Sequence, residues 1–322
     1  NSEKENNLNT LSRTFLSSFV IMSIFFIMPI IFQFADERGT LSKEFENKSK
    51  DNFKKTLDKK NLDKLSNLDD GLNEKYLYED VFDFDDVPTD TIRFSASVLE
   101  ELFKDTKYDL KDVRKRKLVK PIALPLLPKE MKKIENTKKR KDLFIKIILP
   151  LVIKENNYIR RDRKKLFYVL NKSNNTNVEK KWLDQKFKQY GVINKDLSTL
   201  KIRMDEIPAS IAIAQAAKET GWGTSRFAVE GNALFGQWTW SGEGIKPAAA
   251  DDDTTHKVMK FKVLQASVKA YTRNLNTHSS YKDFRSARAE LREEGKKIDS
   301  LILSEHLDKY AETGKEYVRV LQ

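Results

Sequence analysis

Between Thr14 and Ala35 the chain carries no charged residue, and Phe15 to Phe34 reads FLSSFVIMSIFFIMPIIFQF. As a helix, a run of about 20 such residues rises about 30 Å, the thickness of a bilayer's hydrocarbon layer. It has three possible fates: a membrane anchor, a buried helix or a cleaved leader. It is long for the apolar part of a signal peptide, and no small-x-small cleavage site follows it. We therefore expect an uncleaved transmembrane anchor or signal-anchor at 14–35, after a short tail at 1–13. Lys4 and Arg13 precede the span, and Arg38, Lys43, Lys48 and Lys50 follow closely. Counting Lys and Arg alone places the C-terminal side inside, whereas the function argued below needs it outside, so charge leaves the orientation open.

Beyond this span the chain is rich in charge. Of its 322 residues, 39% are apolar and 34% are charged, against a usual mix of about 45–50% and 25%. That contrast predicts a compact part and a poorly packed part. No cysteine is present, which excludes disulfides, iron–sulfur clusters, thiolate zinc sites and a cysteine nucleophile. His256, His278 and His306 lie far apart without ligand-like spacing, so neither a metal nor any other cofactor is expected.

The net charge of +12 is local in origin. Residues 111–165 hold 20 Lys+Arg and 6 Asp+Glu, whereas 69–86 hold eight acids against Lys75 alone. A basic segment invites a nucleic-acid partner, and single-stranded nucleic acid calls for aromatics interleaved with the cations. Here Phe144, Tyr158, Phe167 and Tyr168 stand at core-like spacing instead. With no nucleic-acid motif in the chain, no nucleic-acid partner is expected, and the cations read as the solvated face of amphipathic helices.

Residues 36–116 read as a charged stalk or linker. Up to about 88 the pattern has little periodicity, and high charge with few core-formers favours disorder or a loose helix. Ile92, Phe94, Val98, Leu99 and Leu102 give 91–104 a helical pattern. Pro121, Pro125 and Pro128 make the next stretch extended. From Thr137, Leu143, Phe144, Ile147, Ile148, Leu151 and Val152 mark one buried helix face, with Pro150 a candidate kink. Residues 171–177 read as a loop, and Trp182 to Tyr190 as a short helix. The globular domain is expected to span 117–322.

The segment that carries chemistry is 207–240, IPASIAIAQAAKETGWGTSRFAVEGNALFGQWTW. Pro208 suits the first turn of a helix, and Gly221 is placed to end it. With Ala209 at zero and 100° per residue, Ala212, Ile213, Ala216 and Ala217 cover an arc from about −60° to +80°. Glu219 falls at about −80° on the same wheel, at the edge of that arc. Partial burial and the negative helix end both raise a carboxyl pKa, as a general acid near neutral pH requires. From position alone, a solvated last-turn glutamate is the competing reading. Trp222 is either core or a platform for a sugar ring, and Asn232 with Phe235 and Gly236 also suits a plain turn into a strand.

The strings AIAQAAKETGWGTSRFA and GNALFGQW resemble the glucosaminidase domain of glycoside hydrolase family 73. Such domains carry A-A-x-E-[ST]-G-W-G followed by N-x-F-G; the second block here, N-A-L-F-G, is one residue longer. RKDLFIKIILPLVIKENNYIRRDRKKL and AYTRNLNTHSSYKDFRSARAELR resemble the Bax-type bacterial group of that family, and the similarity runs from about 117 to 322. The resemblance implies an α+β, mostly α, lysozyme-like domain with a small β-hairpin lobe at 237–262, with strands near QWTW and HKVMKF. It implies Glu219 as general acid and Tyr310, in YAETGKEYV, as a functional tyrosine, with Tyr317 as packing. It also implies glycan contacts at Trp222, Asn232, Phe235 and Trp238.

Glycosidases commonly set two carboxyls about 5–5.5 Å apart for retention or 6.5–9.5 Å apart for inversion. On the lobe, Asp251 and Asp252 are the candidates for the second, ahead of Asp253 and Glu243, although an Asp run also simply suits a turn. Where neither serves, the substrate's acetamido group is the alternative nucleophile, with Tyr310 assisting. The expectation is a peptidoglycan hydrolase that cleaves N-acetylglucosaminyl bonds, with glycan strands as partner. It would sit single-pass in a bacterial inner membrane with the catalytic domain in the periplasm. A lytic transglycosylase of the same superfamily and a non-catalytic glycan-binding protein are the competing classes.

Overall fold

A computed structural model describes Tyr78, Asp80, Val81 and residues 91–239, 244–246 and 257–322. The apolar span at 14–35, most of the expected stalk, and Glu243 and Asp251–Asp253 lie outside the described residues. Among the described residues no helix is long and apolar enough to cross a membrane.

The helical pattern of 91–104 forms α1, Ala96–Asp105, whose first turn is capped by the Ser95 hydroxyl accepting from the Val98 amide. A second helix, α2, runs Leu110–Arg116 behind the Asp109 cap. Neither belongs to a stalk. Leu99, Phe103 and Tyr108 are buried in the same core as Leu124, Leu127, Met131 and Phe144. The packed domain thus begins before residue 117, because the apolar stripe of α1 finds a core to enter. The acidic run is packed in part as well. Val81 is buried against Met259, Phe261, Val263, Ala266 and Ala270, and Asp80 pairs with Lys269 and Arg273.

After the proline-rich stretch and a 3-10 turn at Lys129–Lys133, α3 spans Thr137–Leu170, 34 residues with Pro150 inside it. At 1.5 Å per residue it is about 50 Å long, and α6 and α8, described below, pack along it. The next helix, α4, runs Asn177–Gln189, five residues earlier than Trp182. A capping box explains the early start: the Thr176 side chain accepts from the Glu179 amide, and the Glu179 carboxylate accepts from the Thr176 amide. With α5, Leu197–Arg203, it builds a satellite core of Leu166, Phe187, Tyr190, Val192, Leu200 and Met204.

The central helix α6 runs Ala209–Thr220, and α7 runs Arg226–Gly231. Three short strands follow: β1 Trp238–Thr239, β2 Gly244–Ile245 and β3 Lys257–Met259. They pair antiparallel in the order β1-β3-β2, with Trp238 opposite Val258 and Gly244 opposite Met259. The expected two-stranded hairpin therefore carries a third strand on the far side of β3. The chain ends in α8 Leu264–Thr277, α9 Lys282–Glu293, α10 Ser300–Ser304 and α11 Lys315–Leu321, with 3-10 turns at Ser279–Tyr281 and Asp308–Tyr310. The fold is mostly α with one small sheet.

A buried ionic knot fixes the entry to α6. Arg288, with a relative exposure of 0%, donates to the carbonyls of Ile202, Asp205 and Glu206. The Asp205 carboxylate accepts from Arg292 at 3.0 and 3.2 Å, with Arg163 3.8 Å away. Burial alone would raise the Asp205 carboxyl, but Arg163, Arg288 and Arg292 together hold it well below the usual carboxylate range. Pro208 then starts α6 with no donor left over.

Candidate active site

The buried face of α6 is Ile211, Ala212, Gln215, Ala216, Ala217 and Thr220. On the wheel used above, this arc runs from about −160° to +80°, wider than expected and displaced toward Ile211 and Gln215. Glu219 therefore lies within the buried face, and its side chain is half-buried. α3, α10 and α11 all pack against α6.

Gly221 ends the helix at φ +56°, and its amide donates to the Ala217 carbonyl. Trp222 turns back over α3, its ring edge-on to Phe144 at 6.0 Å and capped by the Lys141 ammonium at 4.7 Å. The side chain is partly buried, packed against the main core on one side.

The Glu219 carboxyl is held by a directed chain of hydrogen bonds. Tyr317 donates its hydroxyl to Glu219 Oε1 at 2.8 Å. Gln215 Nε2 donates to the Tyr317 hydroxyl at 3.0 Å, and the Tyr271 hydroxyl donates to Gln215 Oε1 at 2.7 Å. The Tyr310 ring stacks on Tyr317 with centroids 5.5 Å apart, and its hydroxyl donates to the Phe235 carbonyl at 2.8 Å. Phe235, 2% exposed, stacks on Tyr271 at 3.8 Å. These contacts bring the Phe235–Gly236 loop to the carboxyl. A Cβ on Gly236, at φ +64°, would stand 3.3 Å from Glu219 Oε2, so glycine keeps that oxygen uncrowded.

Burial raises the Glu219 pKa above its ordinary value, and the Tyr317 hydrogen bond and Lys218 offset this only in part. Burial likewise raises Tyr317 and Tyr310, and pushes Tyr281 up to about 12. The tyrosines therefore stay protonated donors at neutral pH. The result is a carboxyl that keeps its proton to higher pH than an exposed glutamate does. Oε1 is occupied by a fixed donor, which leaves Oε2, beside Gly236, to carry a transferable proton.

The structure thus brings Glu219, Tyr310 and Phe235 together. It sets Asn232 to structural work: at φ +52° it ends α7, and its buried amide donates to the carbonyls of Phe261 and Lys262. Trp238 stands on β1, 43% exposed. Asp251 and Asp252 lie outside the described residues. Tyr317, expected as packing, is instead the residue bonded to Glu219. Gln215 and Tyr271 were missed. Gln215 had a legible signal, a lone amide four residues before Glu219 on an alanine-rich face, where a buried polar group needs partners. Tyr271 had none, since only the packing of α8 places it.

Residues 198–321, which include Glu219, Gly236, Tyr310 and Tyr317, match the glucosaminidase family described as mannosyl-glycoprotein endo-beta-N-acetylglucosaminidase. The chain is similar to protein bax of Escherichia coli (strain K12), with 30% identity over 208 residues, 63% of this chain and 73% of that protein. No solved structure matches it.

Proposed function

The chain belongs to the Bax-type family of proteins with a glucosaminidase domain, and on that footing we propose that it hydrolyses N-acetylglucosaminyl bonds of peptidoglycan. Glu219 is the general acid. Its Oε2 protonates the oxygen of the leaving sugar while Tyr317 holds Oε1. As the C–O bond breaks, the proton passes to the departing hydroxyl and Glu219 becomes the carboxylate, which the Tyr317 hydrogen bond stabilises. The anomeric carbon is then captured on its opposite face by water, whose proton passes to Asp251 or Asp252, or by the substrate's own acetamido oxygen, in which case water then opens the oxazoline so formed. Tyr310 positions the Phe235–Gly236 loop beside the acid.

One observation carries this reading: a half-buried carboxyl with a raised pKa, gripped on one oxygen and uncrowded on the other. The domain acts outside the cytoplasm, tethered to the inner membrane through residues 14–35. Digesting peptidoglycan with the full chain and with Glu219→Gln tests the assignment. The variant is expected to lose about 10²–10⁴-fold in rate, the usual contribution of a positioned acid. Undiminished cleavage would sink the role of Glu219. Mass spectrometry of the products separates hydrolysis, which leaves a free reducing end, from transglycosylation, which leaves a 1,6-anhydro sugar. Protection of the domain from protease added to spheroplasts would contradict the periplasmic placement.

A further inference from the structure

The proposed reaction leaves the basic segment without a task. Part of it forms a cleft of about 570 Å³ between the extended stretch before Pro125 and the outer face of α3. Its apolar wall is Val119, Pro121, Pro150 and Ile153, and its polar lining is Lys120, Lys154, Asn157, Arg160, Arg161 and Lys164, with no acid among them. Arg160 is paired with Glu206 at 2.9 Å. Among the described residues Lys120, Lys154, Arg161 and Lys164 have no carboxylate partner. Tyr158, 44% exposed, lies under the Arg161 guanidinium at 4.6 Å.

Three of these cations share one face of α3. Lys154, Tyr158, Arg161 and Lys164 follow one another at three- and four-residue steps, so like charges are gathered on one helix face, where they repel. A solvated surface does not require that arrangement, whereas an anionic ligand offsets it.

The cleft is also separate from the acid. α3 and α6 run antiparallel: Phe144 meets Trp222 just past the end of α6, and Asn156 bonds to Ile207 just before its start. Along α3 the cleft runs from Pro150 to Lys164, about 9 to 30 Å from Phe144.

We propose that this cleft is a second binding site, for the carboxylate-bearing peptide stems of peptidoglycan. The proposal rests on the function proposed above. A concave site with an apolar wall and an exposed aromatic suits a peptide segment, whose side chains enter the cleft while its carboxylates meet the cations. A flat anionic membrane would reach only the rim, and a nucleic-acid strand would require an open groove with several stacking faces.

The test uses the full chain in detergent, with N-acetylmuramyl-pentapeptide as the probe and affinity as the readout. The double variant Lys154→Glu/Arg161→Glu is expected to bind the peptide about tenfold or more weakly. It should melt like the parent, since both side chains are exposed. Lys154→Gln/Arg161→Gln should lie between the two. Equal affinity in parent and double variant overturns the proposal. So does a parent that ignores the peptide but binds anionic phosphatidylglycerol vesicles or single-stranded DNA. Glu219→Gln keeps peptide binding while losing cleavage. If the parent binds peptide but cleaves no glycan, the reaction falls and the cleft stands.

Discussion

At Glu219 two opposing effects set one pKa. Burial raises it, and the Tyr317 hydroxyl, which bonds best to the charged form, lowers it. Tyr317→Phe removes only the second effect. The Glu219 pKa should rise further, and the basic limb of the pH–rate profile, where activity falls as the acid loses its proton, should move to higher pH. An unmoved limb would mean that Tyr317 serves packing alone. Stability gives an independent check. Because the folded pKa lies above the unfolded value of 4.5, the folded state holds more protons across that interval and loses stability as pH rises through it. Glu219→Gln cannot ionise, so it should melt above the parent at pH 7, and the difference should close as pH falls below 4.5. The position of Glu219 beside an apolar helix face was legible from spacing alone, because helical period follows from backbone geometry. Its partners were not. Tyr317 and Tyr271 stand 98 and 56 residues away from Glu219 and Gln215, respectively, and no local pattern reports such a distance.

Among the elements, the knot before α6 is sensitive to substitution. Asp205 is buried with three guanidiniums around it, so Asp205→Asn leaves positive charge buried without compensation. A loss of about 3–5 kcal/mol is expected by denaturant titration, and a loss below about 1 kcal/mol would show that water reaches the knot. The depressed Asp205 pKa adds a sign. Its contribution is present above the unfolded pKa of 3.8 and fades as pH falls below that value, so parent and variant should converge in acid. The lengths of α3 and α6 followed from periodicity, Pro208 and Gly221. The start of α4 did not, because Thr176 and Glu179 act as a reciprocal pair that an apolar-period search passes over.

For the whole molecule, the domain's limits matter most. Leu99, Phe103 and Tyr108 belong to the main core, and truncating one such side chain typically costs about 2–5 kcal/mol. A fragment beginning at 117 forfeits all three, against a total stability of about 5–15 kcal/mol for an ordinary domain. It should show no cooperative melt by circular dichroism, whereas a fragment beginning at 59 should. A sharp melt from the shorter piece would place α1 outside the core. From its own letters this chain determined an apolar span long enough for a bilayer, a helical C-terminal half, one acid at a helix end and the positions of the turns around it. Each is a matter of local period, charge or backbone freedom. Only the tertiary structure decided that α1 and Val81 are core, that Asn232 is a staple, that Tyr317 rather than solvent holds Glu219, and that five cations line a single cleft. Those outcomes depend on which distant surfaces exclude water together, and burial is a property of the assembled fold rather than of any segment within it.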